Sequence, residues 1–254
     1  MTKSGDIWRA ALSSWAIPES ILNQAPESPW IHPPQVFELP AVITDLPSHQ
    51  RAREVNPTSF LDIGCGGGIA AFATDAKFVI GVDHQAEMLE MFSNNATARS
   101  REVAVFEGFW PAIANQVPSA DVAAAHHVVY NVAEIEEFLL ALNSHATKRV
   151  VIELPQTHPL SNLSVAWQHF WQLDRPTSPT PTELLEVLTE LGINAQVEYW
   201  DGKLRNSVSL EDQVRFNRIR LCLPADRDHE VLEFMLANPS DGVRPLATIW
   251  WDIN

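Results

Sequence analysis

The segment Phe60-Leu61-Asp62-Ile63-Gly64-Cys65-Gly66-Gly67-Gly68 constrains the fold more than any other. An apolar run ends in an acid and passes into four glycines within five positions. Glycine lets the backbone adopt left-handed turns and approach a ligand closely, which is what the carboxyl edge of a parallel sheet asks of its loops. A plain strand-to-helix turn does not demand so much backbone entropy, so the segment reads as a ligand loop. A second apolar run, Phe78-Val79-Ile80-Gly81-Val82-Asp83, ends in an acid 21 positions after Asp62. An isolated Asp at a strand end is usually a cap or turn residue. At this spacing from a glycine loop it is instead placed to accept the two hydroxyls of a ribose.

Around these two runs the pattern is one of short apolar stretches alternating with amphipathic ones, the signature of βαβ units. Strands are expected at 58–63, 78–82, 102–106, 121–126, 149–154, 193–199 and 246–251. Asn131 and Glu134 form a capping pair ahead of Ile135, Phe138, Leu139 and Leu142, and Thr180-Pro181 with Glu183 opens a helix that Gly192 closes. Residues 1–55, with Trp8, Leu12 and Trp15 at helical spacing and then seven prolines, form a cap segment of short helices and irregular chain; residues 56–254 are the main domain. Two helices before the last strand, within 209–236 and parted by Pro224, are an insertion suited to a cap or an oligomer surface, and a homodimer is compatible with it. The fold class is therefore α/β, a doubly wound, mainly parallel seven-stranded sheet of the Rossmann-like kind.

Two nucleoside cofactors fit such a loop. In the dinucleotide fingerprint G-x-G-x-x-G/A the first register fails at Ile69, but a shifted match, Gly66-x-Gly68-x-x-Ala71, leaves an NAD(P)-dependent oxidoreductase as an alternative. Asp62, just before the loop, favours a cationic amino-acid ammonium over a pyrophosphate. The stretch Leu61 to Gly68 resembles the first motif of class I S-adenosylmethionine-dependent methyltransferases, and Gly81-Val82-Asp83 with Met88-Leu89 resembles their second. Glu107-Gly108-Phe109-Trp110 and Ala120 to Val132 resemble the segments at the third and fourth strands of the small-molecule members. The resemblance implies that Asp62, Gly64, Cys65, Gly66 and Gly68 surround the methionine part of S-adenosylmethionine and that Asp83 binds its ribose. His84, Met88 and Gly108 complete the nucleoside pocket, with Phe109 or Trp110 by the adenine and His126 near the sulfonium. A protein that binds the nucleoside without catalysis is the other alternative.

The acceptor side is less defined. His126 is the candidate base, because an imidazole can take a proton from a hydroxyl or amine near neutral pH, and as strand neighbours His126 and His127 point to opposite faces. His127, Tyr130, His158 and Trp167 are candidate acceptor contacts, although aromatic residues at helical spacing, such as Phe170 and Trp171, are more often core. Arg215, Arg218 and Arg220 read as a solvated basic face. Acids outnumber bases 32 to 17, a formal charge of −15, and no Asp/Asn-Pro-Pro-aromatic motif follows the fourth strand, so a small, partly apolar acceptor is expected and not a nucleic acid. No histidine, cysteine or carboxylate set has metal-ligand spacing. Cys65 in the loop and Cys222 in an expected helix lack disulfide spacing, and neither a leader nor a run of about 18 apolar residues is present. A cytoplasmic enzyme that neither enters nor crosses a membrane is the expectation.

Overall fold

In a computed structural model, which describes residues 2–30, 37–203 and 209–253, seven strands form one sheet in the order β3-β2-β1-β4-β5-β7-β6. They are β1 (Ser59–Ile63), β2 (Phe78–Asp83), β3 (Glu102–Glu107), β4 (Ala120–His126), β5 (Ala146–Pro155), β6 (Gln196–Lys203) and β7 (Val243–Asp252). The first five pair in parallel, and β7 inserts antiparallel between β5 and β6. All seven expected strands are present. The sixth begins three residues later than expected, because Gly192 at φ +76° and the Ile193 amide bonded to the Leu188 carbonyl (2.9 Å) still belong to the preceding helix end.

Helices cover both faces. On one lie α1 (Lys3–Ser13), α6 (Ile135–His145) and α8 (Pro181–Glu190), burying Trp8, Phe138, Leu139, Leu142, Leu184 and Leu188 against Leu61, Ile63, Val150 and Ile152. On the other, α3 (Pro47–Arg53), α4 (Ile69–Phe72) and α5 (Ala86–Ala98) cover Phe60, Val79, Val122 and Val151. A third cluster joins α2 (Glu19–Leu22), α7 (Ser164–Trp171), α9 (Leu210–Arg220) and α10 (Asp228–Ala237). Within residues 2–30, α1 thus lies on the α6/α8 face and α2 in the third cluster, while α3 crosses to the other side and packs on β5 and β7.

The capping box at Thr180 and Glu183 forms as expected. The one at Asn131 does not: Asn131 ends a 3-10 turn over Val129–Asn131, and α6 is preceded by Glu134, which makes no side-chain cap bond. The Glu134 carboxylate is taken instead by Arg9 of α1, at 2.9 and 2.5 Å. Nor are the arginines of α9 a solvated face. Arg218 is 3% exposed and ties α9 to Asp228 (2.8 Å) and Glu27 (3.0 Å), whereas Arg215 stays exposed. Cys222 lies beyond the end of α9, in a turn at φ +57°. No helix among the described residues is long and apolar enough to cross a membrane.

Candidate active site

The carboxyl ends of β1, β2 and β4 meet at the glycine loop. The Gly64 and Cys65 amides both donate to the Val82 carbonyl (2.8 and 3.1 Å), which folds the loop back over β2. Gly64, Gly66 and Gly68 have φ of +67°, +48° and +88°, so three of the four glycines are required by backbone conformation alone. A Cβ on Gly68 would meet Phe72 at 2.4 Å, and one on Gly64 would meet Val128 at 2.6 Å. The loop is therefore pressed against both the start of α4 and the loop after β4.

Asp83 is 8% exposed and organises this edge: its Oδ2 accepts the Gly66 amide (3.2 Å) and its Oδ1 the Gln85 amide (3.1 Å). A carboxylate fixed by two amides at the tip of β2 keeps lone pairs for a diol. Asp62 is 2% exposed with one long bond, from the Ala71 amide (3.4 Å). Burial pushes its carboxyl well above the usual range, the Ala71 amide opposes this, and the charge of Asp83 adds to it. A cation placed there would reverse the balance, so the pair suits an ammonium and resists a phosphate. Burial likewise raises the Cys65 thiol, with Asp62 and Asp83 adding, and leaves it unreactive.

Beyond β3 the expected aromatic pair separates. Phe109 is 69% exposed and stacks on His84 with centroids 4.8 Å apart, giving a flat surface near Asp83. Trp110 turns inward, donates to the Phe138 carbonyl (3.4 Å) and meets His145 edge-on; it is core and does not face the ligand edge. Met88 is buried at the start of α5, and the Gly108 amide donates to the Asp83 carbonyl (2.9 Å). The N-terminal segment reaches this loop, since a Cβ on Gly67 would stand 2.2 Å from the Phe37 carbonyl oxygen.

On the acceptor side, β4 and β5 end with His126 opposite Glu153. His126 is partly buried and stacks on His49 of α3 (centroids 5.9 Å); burial first, then the neighbouring His49 and His127, lower it to about 4. His127 departs from the expected alternation. At φ +61° it leaves the strand, its amide donates to the Glu153 carbonyl (2.7 Å), and its Nε2 lies 3.0 Å from Glu153 Oε1. Glu153 is 3% exposed and its other oxygen accepts the Ser48 hydroxyl. Burial alone would raise this carboxyl, but the His127 bond, the charges of both histidines and Ser48 together hold it well below the usual range.

Ser48, His49 and Glu153 carried no role in the sequence. The available signal was an acid in the apolar run Val150-Val151-Ile152-Glu153-Leu154, since a Glu inside such a strand is almost never buried without a partner.

The other expected acceptor contacts are structural. Tyr130 is buried, stacks on Trp8 (5.8 Å) and donates to the Pro155 carbonyl (2.8 Å). His158 caps a 3-10 turn by accepting the Leu160 amide (3.2 Å) and stacks on Trp15 (4.1 Å). Trp167 is 1% exposed within the third cluster. Tyr130 packs on α1 through Trp8, while in the segment after β5 His158 meets Trp15 and Trp167 packs with Ile17 and Ile21.

Residues 61–147 match the family model of a methyltransferase domain, and the sheet order with its antiparallel seventh strand agrees. The chain carries a methyltransferase domain over this stretch, on a doubly wound, mainly parallel seven-stranded sheet. Solved structures share its fold at low identity. The YcgJ protein of Bacillus subtilis is 17% identical over 76% of this chain and 91% of that one, with a TM-score of 0.51. Coclaurine N-methyltransferase bound to N-methylheliamine and SAH is 12% identical over 98% and 86%, with a TM-score of 0.51. A precorrin 8w decarboxylase from Methanobacterium thermoautotrophicum is 16% identical over 88% and 96%, with a TM-score of 0.50. These likenesses concern the fold. No curated protein matches the chain.

Proposed function

We propose that the protein is an S-adenosylmethionine-dependent methyltransferase acting on a small, partly apolar acceptor in the cytoplasm, with residues 1–55 as a cap over the donor edge of a domain spanning 56–254. The observation that carries this reading is the crossing of the glycine loop by the chain's own N-terminal segment at Phe37. A donor edge roofed in this way admits a small molecule more readily than a polymer. The formal charge of −15 argues the same way against a phosphate backbone, and both cysteines are free and buried, as a reducing compartment allows. Coclaurine N-methyltransferase, which shares the fold over 98% of this chain, was solved with a small molecule in place.

The donor fits the residues present. Asp83 would hold the ribose hydroxyls, Asp62 and the Gly64–Gly66 backbone the methionine end, and Phe109 with His84 the adenine face. When bound, S-adenosylmethionine supplies an electrophilic methyl carbon for in-line displacement by the acceptor. The protein's own task is then alignment and exclusion of water, and alignment contributes about 7–11 kcal/mol to such reactions.

Two measurements test this. SAH at about 100 times its dissociation constant should add about 2.7 kcal/mol of stability, about 5–10 °C in Tm at this chain length, and NAD should add nothing. Methyl-labelled S-adenosylmethionine should then mark the small-molecule fraction of a cell extract. Label concentrated in RNA or DNA, and suppressed by salt, would refute the acceptor class.

A further inference from the structure

We propose that His127, oriented by Glu153, is the catalytic base that deprotonates the acceptor, so that the acceptor attacks through a hydroxyl oxygen or a neutral nitrogen bearing a hydrogen; this rests on the methyl-transfer reading above. Three features of the geometry converge on it. His127 adopts φ +61°, a left-handed conformation that is strained for a residue bearing a β-carbon and that clusters at functional sites. It is held there twice by one residue, through the Glu153 carbonyl on its amide and the Glu153 carboxylate on its Nε2. And its side chain is 37% exposed while that of Glu153 is 4% exposed, so the buried carboxylate fixes the ring and the ring's other nitrogen is left to act. A carboxylate bonded to one imidazole nitrogen sets the tautomer and stabilises the cation that forms when the other nitrogen takes a proton.

Position places the pair beside the donor. His127 directly precedes Val128, the residue that a Cβ on Gly64 would strike. Charged and titratable neighbours face the pair from each element around it: His126 on β4, Ser48 and His49 on α3, and Arg244 on β7, which feels the charge of Glu153. His126 is the poorer base, because it is stacked beneath His49 and its imidazole is already biased to the neutral form. In the step itself the acceptor's lone pair forms the new bond to the methyl carbon. The carbon–sulfur pair stays on sulfur, which becomes a neutral thioether, and the acceptor's proton passes to His127 Nδ1. One positive charge thus moves from the sulfonium to an imidazolium already facing the Glu153 carboxylate, and the proton later leaves to water.

His127→Asn is the test variant, because Asn tolerates a positive φ and the fold should persist; His127→Gly, free at this φ, is the variant for rescue. Wild-type protein and variants are assayed with methyl-tritiated S-adenosylmethionine and the small-molecule fraction of a cell extract. His127→Asn should lose about 10²–10⁴-fold in rate with SAH affinity unchanged by calorimetry. The fall in wild-type rate towards acid pH should vanish in the variant, and added imidazole should restore part of the His127→Gly rate. In ¹⁵N spectra of the neutral protein His127 should carry its proton on Nε2, and Glu153→Ala should mix the tautomers. Undiminished transfer by His127→Asn, or a wild-type His127 protonated on Nδ1, would overturn the assignment while leaving methyl transfer intact. Absence of small-molecule labelling by wild-type protein that binds SAH would instead overturn the acceptor reading, and the base with it.

Discussion

Replacing Asp62 by Asn should make the ligand-free protein more stable and the liganded protein less so. Asp62 is 2% exposed, has a single 3.4 Å hydrogen bond and shares its surroundings with the Asp83 carboxylate. A buried carboxyl this poorly partnered costs about 1–3 kcal/mol, so Asn at the same volume should raise Tm by about 2–12 °C. The sign follows from linkage: with its folded-state affinity for a proton raised, Asp62 favours the folded chain at low pH and withdraws that contribution as pH rises through the raised value. Binding an ammonium requires the ionised form, so donor binding should release a proton and weaken as pH falls. A hydrogen bond to a charged group is worth about 1.5–3 kcal/mol, which makes Asp62→Asn bind SAH about 10–150-fold more weakly. Thermal unfolding with and without SAH reads both effects at once, and calorimetry in buffers of different ionisation enthalpy reads the proton. A variant with lower Tm and an undiminished SAH shift would refute the argument and make Asp62 a purely structural acid.

Phe109 and Trp110 should part company: Trp110→Ala should cost about 3–5 kcal/mol as a core deletion, whereas Phe109→Ala should leave Tm nearly unchanged and weaken SAH binding in calorimetry. Tyr130→Phe leaves the buried Pro155 carbonyl without its donor, for a loss of about 1–3 kcal/mol in urea unfolding and no change in turnover. His126 and His158 are both lowered to about 4, so each takes up its proton more readily in the unfolded chain. Their contribution is complete above the ordinary histidine value of about 6.5 and drains away as pH falls towards 4; replacing both by Gln should flatten the Tm curve across that window.

The donor half of the site was legible in the sequence because it is local. Gly64, Gly66 and Gly68 announce backbone conformations that no other residue adopts cheaply, and Asp62 and Asp83 are strand tips whose position follows from counting along βα units. Short apolar runs were enough for the central strands β1, β2, β4 and β5, since a strand buried on both faces must be continuously apolar. Distinguishing Phe109 from Trp110 was beyond reach: adjacent residues in a turn differ only by which way the chain bends, and the bend depends on Phe138 and His145, 28 and 35 positions later.

The acceptor half was illegible because its partners come together only through the fold. Period-two reasoning placed His126 and His127 on opposite faces, which holds within a strand and fails at the first residue beyond it; His127 turns left-handed where Glu153, 26 positions on, grips both its amide and its ring. Ser48 and His49 reach the same point only because α3 packs across β5 and β7. Tyr130 was read as an acceptor contact for a related reason. Its acceptor is a backbone carbonyl at Pro155, and backbone partners leave no trace in a side-chain pattern. The asymmetry matches the chemistry. A shared donor can be held by loop motifs written into consecutive residues, whereas an acceptor is met by side chains from β4, β5 and α3 that only the assembled sheet brings within 3.0 Å of one another.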